Sequence, residues 1–237
     1  MQNSNKFPAK AACAVALLLV CNLSFAGSVV VYDDVNFVTY QSGDDIYGYY
    51  RARDEQFSCE FLFFANTGVG SKDADGVEVL KVKTFDFVPH KHAFSYAQRD
   101  PRASIDGVLY TSKDGVVLKT DRPHGGCMSA AGGFDALPGT RGAAQFEPVK
   151  KLDAIGIGVV IRKSFFYQQA GKGKQQQYVV PGDPVAVLDR HGDYSHVRFV
   201  NEDMNVDDGD PKKITIGWIR SMDIADPFPH PAKKELQ

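Results

Sequence analysis

The strongest constraint on this chain is a cysteine set among phenylalanines. In the run FSCEFLFF, Phe57, Cys59, Phe61 and Phe63 fall on one face at the period of two that a strand imposes. A cysteine facing inward with aromatic rings is placed for a buried cross-link. The cysteine that answers it is Cys127, in HGGCMSAAGGF. A histidine beside a cysteine in a glycine turn also suggests a nucleophile. That chemistry needs a depressed thiol pKa, an imidazole in reach and an oxyanion hole, and neighbours in sequence seldom form such a dyad. The glycines more simply allow close backbone approach at a bridge.

The remaining cysteines, Cys13 and Cys21, lie in a leader. MQNSNKFPAK carries two lysines and no acid, AACAVALLLVCNL is apolar, and SFA ends the segment with small residues. Those three parts make a secretory signal with a cut after Ala26, and the apolar run is shorter than the roughly 20 residues of a membrane span. A lipoprotein cut before Cys21 is the rival reading, although Val20 is larger than the residue that normally precedes a lipidated cysteine. Removing residues 1–26 leaves 25 basic against 29 acidic residues, a net charge of −4. That balance speaks against a nucleic-acid partner. In a periplasmic setting two cysteines pair, and closing a loop of about 69 residues contributes roughly 4 kcal/mol.

The chain reads as mainly β: a disulfide-linked N-terminal β domain, residues 27–160, followed by a small barrel, residues 161–225, and an extended tail, 226–237. SVVVYDDVNFVTY, DIYGYYRARDEQFSCEFLFF and VEVLKVKTFDFV alternate apolar and polar residues. IDGVLYTSKDGVVLKT forms a hairpin turning at Lys113-Asp114-Gly115. Helix is confined to single turns within HAFSYAQRDP and SAAGGFDAL.

Residues 163–224 combine four features: an opening strand ending in an aromatic (Phe165 to Tyr167), a Gly182-Asp183 turn leading into an apolar strand in YVVPGDPVAVL, the strand YSHVRFV, and a strand closing on Gly-Trp-Ile in KKITIGWI. This segment resembles the bacterial SH3-like domain. The resemblance implies a small β-barrel of the kind that binds cell-wall peptide or protein partners, with Tyr167, Tyr178, Tyr194 and Trp218 as ligand-binding aromatics. Trp218 is expected mainly in the core. Residues 201–213, NEDMNVDDGDPKK, form its acidic distal loop.

Other candidate sites are weaker. His90 and His92 share a face if they lie on a strand and would reach one zinc with a third ligand such as His124 or Asp86. Pro89 ahead of them favours a loop. Asp73 and Asp75 make half of a calcium loop without the closing glutamate. Asp33-Asp34 and Asp44-Asp45 fall in turns. With no persuasive nucleophile, metal set or phosphate loop, and no cofactor implied, the expectation is an exported, non-catalytic binding protein recognising peptidoglycan stem peptide or a periplasmic protein. An inhibitor or immunity-type protein, and a hydrolase with its site in residues 27–160, are the alternatives.

Overall fold

The computed structural model describes residues 27–54, 56–72, 76–88, 90–201 and 210–229. Residues 1–26, Asp73 and Asp75, most of the acidic loop and residues 230–237 lie outside them. The first sheet contains β1 (Gly27–Tyr32), β2 (Phe37–Ser42), β3 (Asp45–Arg53), β4 (Ser58–Asn66), β5 (Ser71–Lys72), β6 (Glu78–Phe85), β7 (Ile105–Ser112), β8 (Gly115–Thr120), β9 (Gln145–Phe146) and β10 (Pro148–Ala154). The strands follow one another antiparallel, with β5 a short addition beside β6. Residue 147 alone separates β9 from β10. Their stretch pairs with β8 at its start and with β1 along the rest, so the sheet curls back into a nearly closed barrel. Asp33 pins the seam: its amide donates to the Glu147 carbonyl (2.9 Å) and its carboxylate accepts the Glu147 amide (2.8 Å).

Period-two alternation fills both faces of this barrel. Phe37, Phe61, Phe63, Leu80, Leu109 and Leu118 point inward and are fully buried. An antiparallel barrel of about eight strands has room inside for side chains and little else. Phe146 stacks on Phe37 at 3.9 Å between ring centres. On β3, Gly48 leaves the space that the Phe63 ring occupies, where a Cβ would collide with it. The hairpin of residues 105–120 forms as the sequence indicates, turning at Lys113-Asp114.

The alternate residues of β1 to β4 (Val29, Val31, Val38, Tyr49 and Leu62) form an apolar patch on the outside of the barrel. They pack with Ile157, Val159 and Ala186, which belong to a second sheet. It holds β11 (Gly156–Val160), β12 (Ser164–Gln169), β13 (Lys172–Val179), β14 (Pro184–His191), β15 (Tyr194–Val200), β16 (Ile214–Arg220) and β17 (Ile224–Ala225), in the order β13-β12-β16-β15-β14-β11-β17. Phe166, Val185, Val187, Val197 and Ile219 make its own core. The change of sheet falls at Ile155, whose amide donates to Val187 O. It precedes the boundary expected after residue 160, because β11 pairs with β14 and not with the barrel. Within the expected extended tail, Phe228 is buried in the inter-sheet core, 4.8 Å from the Tyr47 ring.

Cys59 and Cys127 are bonded and fully buried. Cys127 opens a single helical turn, α1 (Cys127–Ala130), against β4. Gly126 just before it has φ +80°, and a Cβ there would strike the Ser58 carbonyl. The glycine of HGGC therefore serves backbone approach. Phe57 does not join the inward row, because β4 begins at Ser58. The Asp54 carboxylate holds the Phe57 amide in a turn, and the ring is 45 % exposed.

Candidate binding face and inter-sheet cleft

Phe166, Val197 and Ile219 face the core of the second sheet, so their neighbours must face away from it. On β12, β16 and β15 those neighbours are Tyr167, Trp218 and His196, directly opposite one another across three strands. His196 stacks on Trp218 with 4.9 Å between ring centres and planes 22° apart. Tyr194 lies two residues along on the same face, with its ring 5.4 Å from Tyr167 in an edge contact. Arg220, opposite Tyr194 in register, is hydrogen-bonded to the Tyr194 hydroxyl, which raises the guanidinium pKa further. All four rings are half-buried. Trp218 is therefore a wall of an outward face and not a core residue.

Tyr178 extends this face at the sheet edge. It is 48 % exposed and sits 5.7 Å from Phe165, its partner in register. Lys163 Nζ lies 3.7 Å above the Tyr178 ring and Lys174 Nζ 3.9 Å above Phe165, cation–π contacts that hold the ammonium groups over the aromatic row. The structure thus brings together Tyr167, Tyr194 and Trp218, adds His196, Phe165 and Arg220, and sets Tyr178 at one end. The period of YSHVRFV already puts His196 beside Tyr194. The pairing that brings it against Trp218 is carried by no local pattern.

His90 and His92 are not on a strand. Both occupy the left-handed region, at φ 67° and 47°, which histidine enters more often than most side chains and which no strand uses. They border a cleft of about 350 Å³ between barrel and second sheet, with Asp86 and Glu60 also on its wall. Burial pushes the Asp86 carboxyl up to about 6, only partly offset by the Phe87 amide that donates to it. Among the described residues no three His, Cys, Asp or Glu side chains converge closely enough for a metal ion. The zinc expectation for His90 and His92 is therefore not met by their geometry.

His124 stands elsewhere, buried in the barrel wall. Its ring stacks on Phe61 at 4.3 Å, and Nε2 is 2.7 Å from Thr84 Oγ1. The Thr84 hydroxyl donates its proton to the Ile105 carbonyl at 3.0 Å, so it must accept from Nε2–H, which fixes the tautomer. Burial, assisted by the nearby Arg122 charge, brings this imidazole down to about 4. It is a neutral packing residue, and its neighbour Cys127 is spent in the disulfide.

No family model matches the chain, and no curated protein or solved structure matches it. Among the described residues no helix is long and apolar enough to cross a membrane.

Proposed function

We propose that this chain is an exported, non-catalytic binding protein whose second sheet, an SH3-like module, presents Tyr167, Trp218, His196 and Tyr194 to cell-wall peptide. One observation carries this reading: four rings stand half-exposed in a single row on the face turned away from the sheet's core. Leaving such rings exposed to water is unfavourable until a partner covers them, and tyrosine and tryptophan dominate binding hot spots. The row is flanked by Lys163, Lys174 and Arg220. Those cations suit the carboxylates of a stem peptide in a protein that is acidic as a whole. The meander β14–β15–β16, followed back to β12, supports the SH3-like reading, as does the disulfide for an oxidising compartment.

The test is co-sedimentation with purified peptidoglycan at low salt. The wild-type chain is expected in the pellet, and Trp218→Ala and Tyr167→Ala in the supernatant with unchanged melting temperatures. Wild-type protein left in the supernatant would overturn the cell-wall assignment.

A further inference from the structure

At the end of β6 the chain leaves the barrel in a loop that returns at Arg99 and Asp100. Its base is closed by a bridge between Phe87 and Arg99 and by the Asp100 amide, which donates to the Asp86 carbonyl at 2.8 Å. Inside the loop Phe94 packs edge-on against Phe87 at 5.3 Å, and both rings are buried in the inter-sheet core. The facing wall is the turn before β14. There the Gly182 amide donates to the Val160 carbonyl at 2.9 Å and the Asp183 amide to the Val180 carbonyl at 3.1 Å. The cleft of about 350 Å³ lies between these two anchored pieces. It is thus preformed, and its volume stands at the lower end of the roughly 300–1,000 Å³ of ligand clefts.

Leu62, Phe87 and Phe94 give the cleft apolar walls. Its anchor is Asp86. One carboxylate oxygen accepts the Phe87 amide at 2.6 Å. The other accepts no hydrogen bond among the described residues and is not sealed off from the cleft. The cation acting on this carboxylate is Arg51, whose guanidinium is already held by Asp183 at 2.7 Å and Glu60 at 3.5 Å. A half-buried carboxylate short of donors and of a counter-charge is costly to keep ionised. Burial, with Asp100 adding to it, accordingly raises its pKa.

The surroundings narrow the occupant. Glu60 adds negative potential on the same wall, and His90 and His92 stand exposed at the rim. A neutral imidazole accepts from an N–H donor. A bare metal ion needs three converging ligands, which the described residues do not offer. An organic cation needs one carboxylate and a dry wall for its stem.

We propose that the inter-sheet cleft binds an alkylammonium group, with the cation on the open oxygen of Asp86 and its methylene stem against Leu62, Phe87 and Phe94. A lysine side chain of a partner protein and a free amine both carry this group. The cleft shares no residue with the aromatic row, so either can fail without the other.

The experiment is an NMR titration of the whole ¹⁵N-labelled protein with Nα-acetyl-lysine methylamide at about pH 7.5, above the titration of Asp86. It is read at the amides of Phe87, which is bonded to Asp86, and His92. Shifts that saturate at about 1–10 mM are expected. The uncharged Nα-acetyl-norleucine methylamide should bind about tenfold or more weakly, and so should the lysine compound to Asp86→Asn. That variant keeps the shape of the side chain and removes a costly charge, so its melting temperature should not fall. Tighter binding of cadaverine than of the lysine compound would assign the site to a free amine, and the reverse order to a partner's lysine. Equal binding of the norleucine compound, undiminished binding of the lysine compound by Asp86→Asn, or no saturation up to about 100 mM, overturns the site.

Discussion

The guanidinium of Arg51, on the barrel strand β3, meets the carboxylate of Asp183, in the turn before β14, at 2.7 Å. This ion pair ties the two sheets together where both are closed to water: the side chains are only 12 % and 5 % exposed. Asp183 also accepts the Val180 amide, and its own carbonyl accepts the Val160 amide. One turn of the second sheet is thus fixed by a cation of the first.

Removing one partner of a buried pair leaves a desolvated charge, at a cost of about 3–5 kcal/mol. Arg51→Met should therefore lower the urea midpoint strongly, and Arg51→Met with Asp183→Asn should recover part of the loss. Equal stability of the single and double variants would show that the pair does not couple the sheets.

Arg198 makes the opposite case. It is 2 % exposed on the face of β15 opposite Ala186, yet neither Nη1 nor Nη2 has a hydrogen-bond partner among the described residues. Burial accordingly lowers its pKa, partly offset by the neighbouring Tyr49 hydroxyl. A buried donor left unsatisfied costs about 1–3 kcal/mol. Arg198→Met, which keeps the stem and removes the charge, is expected to raise the thermal midpoint by several degrees; a lower midpoint would mean that the guanidinium is satisfied in solution.

Two buried groups give the pH dependence, with opposite signs. His124 titrates near 4 when folded and about 6.5 when unfolded, so the unfolded state binds the proton first. Stability present above pH 6.5 is lost as the pH falls towards 4, by about 3 kcal/mol in all. Asp86 is raised to about 6. Its contribution is full below pH 4 and is lost as the pH rises through 6. Urea midpoints between pH 8 and 4 should separate them: His124→Leu removes the acid-side loss, and Asp86→Asn stabilises more at pH 8 than at pH 5.

The disulfide joins residues 68 apart, for which the chain-entropy account gives about 4 kcal/mol. Cys59→Ala with Cys127→Ala should lose that much in urea unfolding. Alkylation of the denatured, unreduced protein should label neither cysteine.

Much of this fold was legible because the signals were local. Period two placed Cys59, Phe61 and Phe63 inward, and Lys113-Asp114-Gly115 marked its hairpin. What period two cannot say is which face of a strand water reaches. Tyr47, Tyr49 and Leu62 lie outside the barrel and are covered by another sheet, whereas Trp218, which reads as core, stands on an uncovered face. The closing strand was hidden for a related reason. β10, PVKKLDA, is almost wholly exposed along its side chains, and its role comes from backbone pairing, which leaves no apolar pattern. Phe57 failed at a boundary: the strand starts one residue later and Asp54 turns the chain.

That closing strand also sets an order of events. Gly27 pairs with Ala154, so the first strand made has one free side until the last arrives. Contacts this distant in sequence form slowly, and β1 exposes an unpaired edge during the wait. Completion of the barrel is therefore a late step. A chain truncated just before residue 148 would carry the barrel's core residues and still present an open edge to its neighbours. Such fragments should aggregate through β1, whereas the full-length chain, once β10 has docked, has no free edge at that seam.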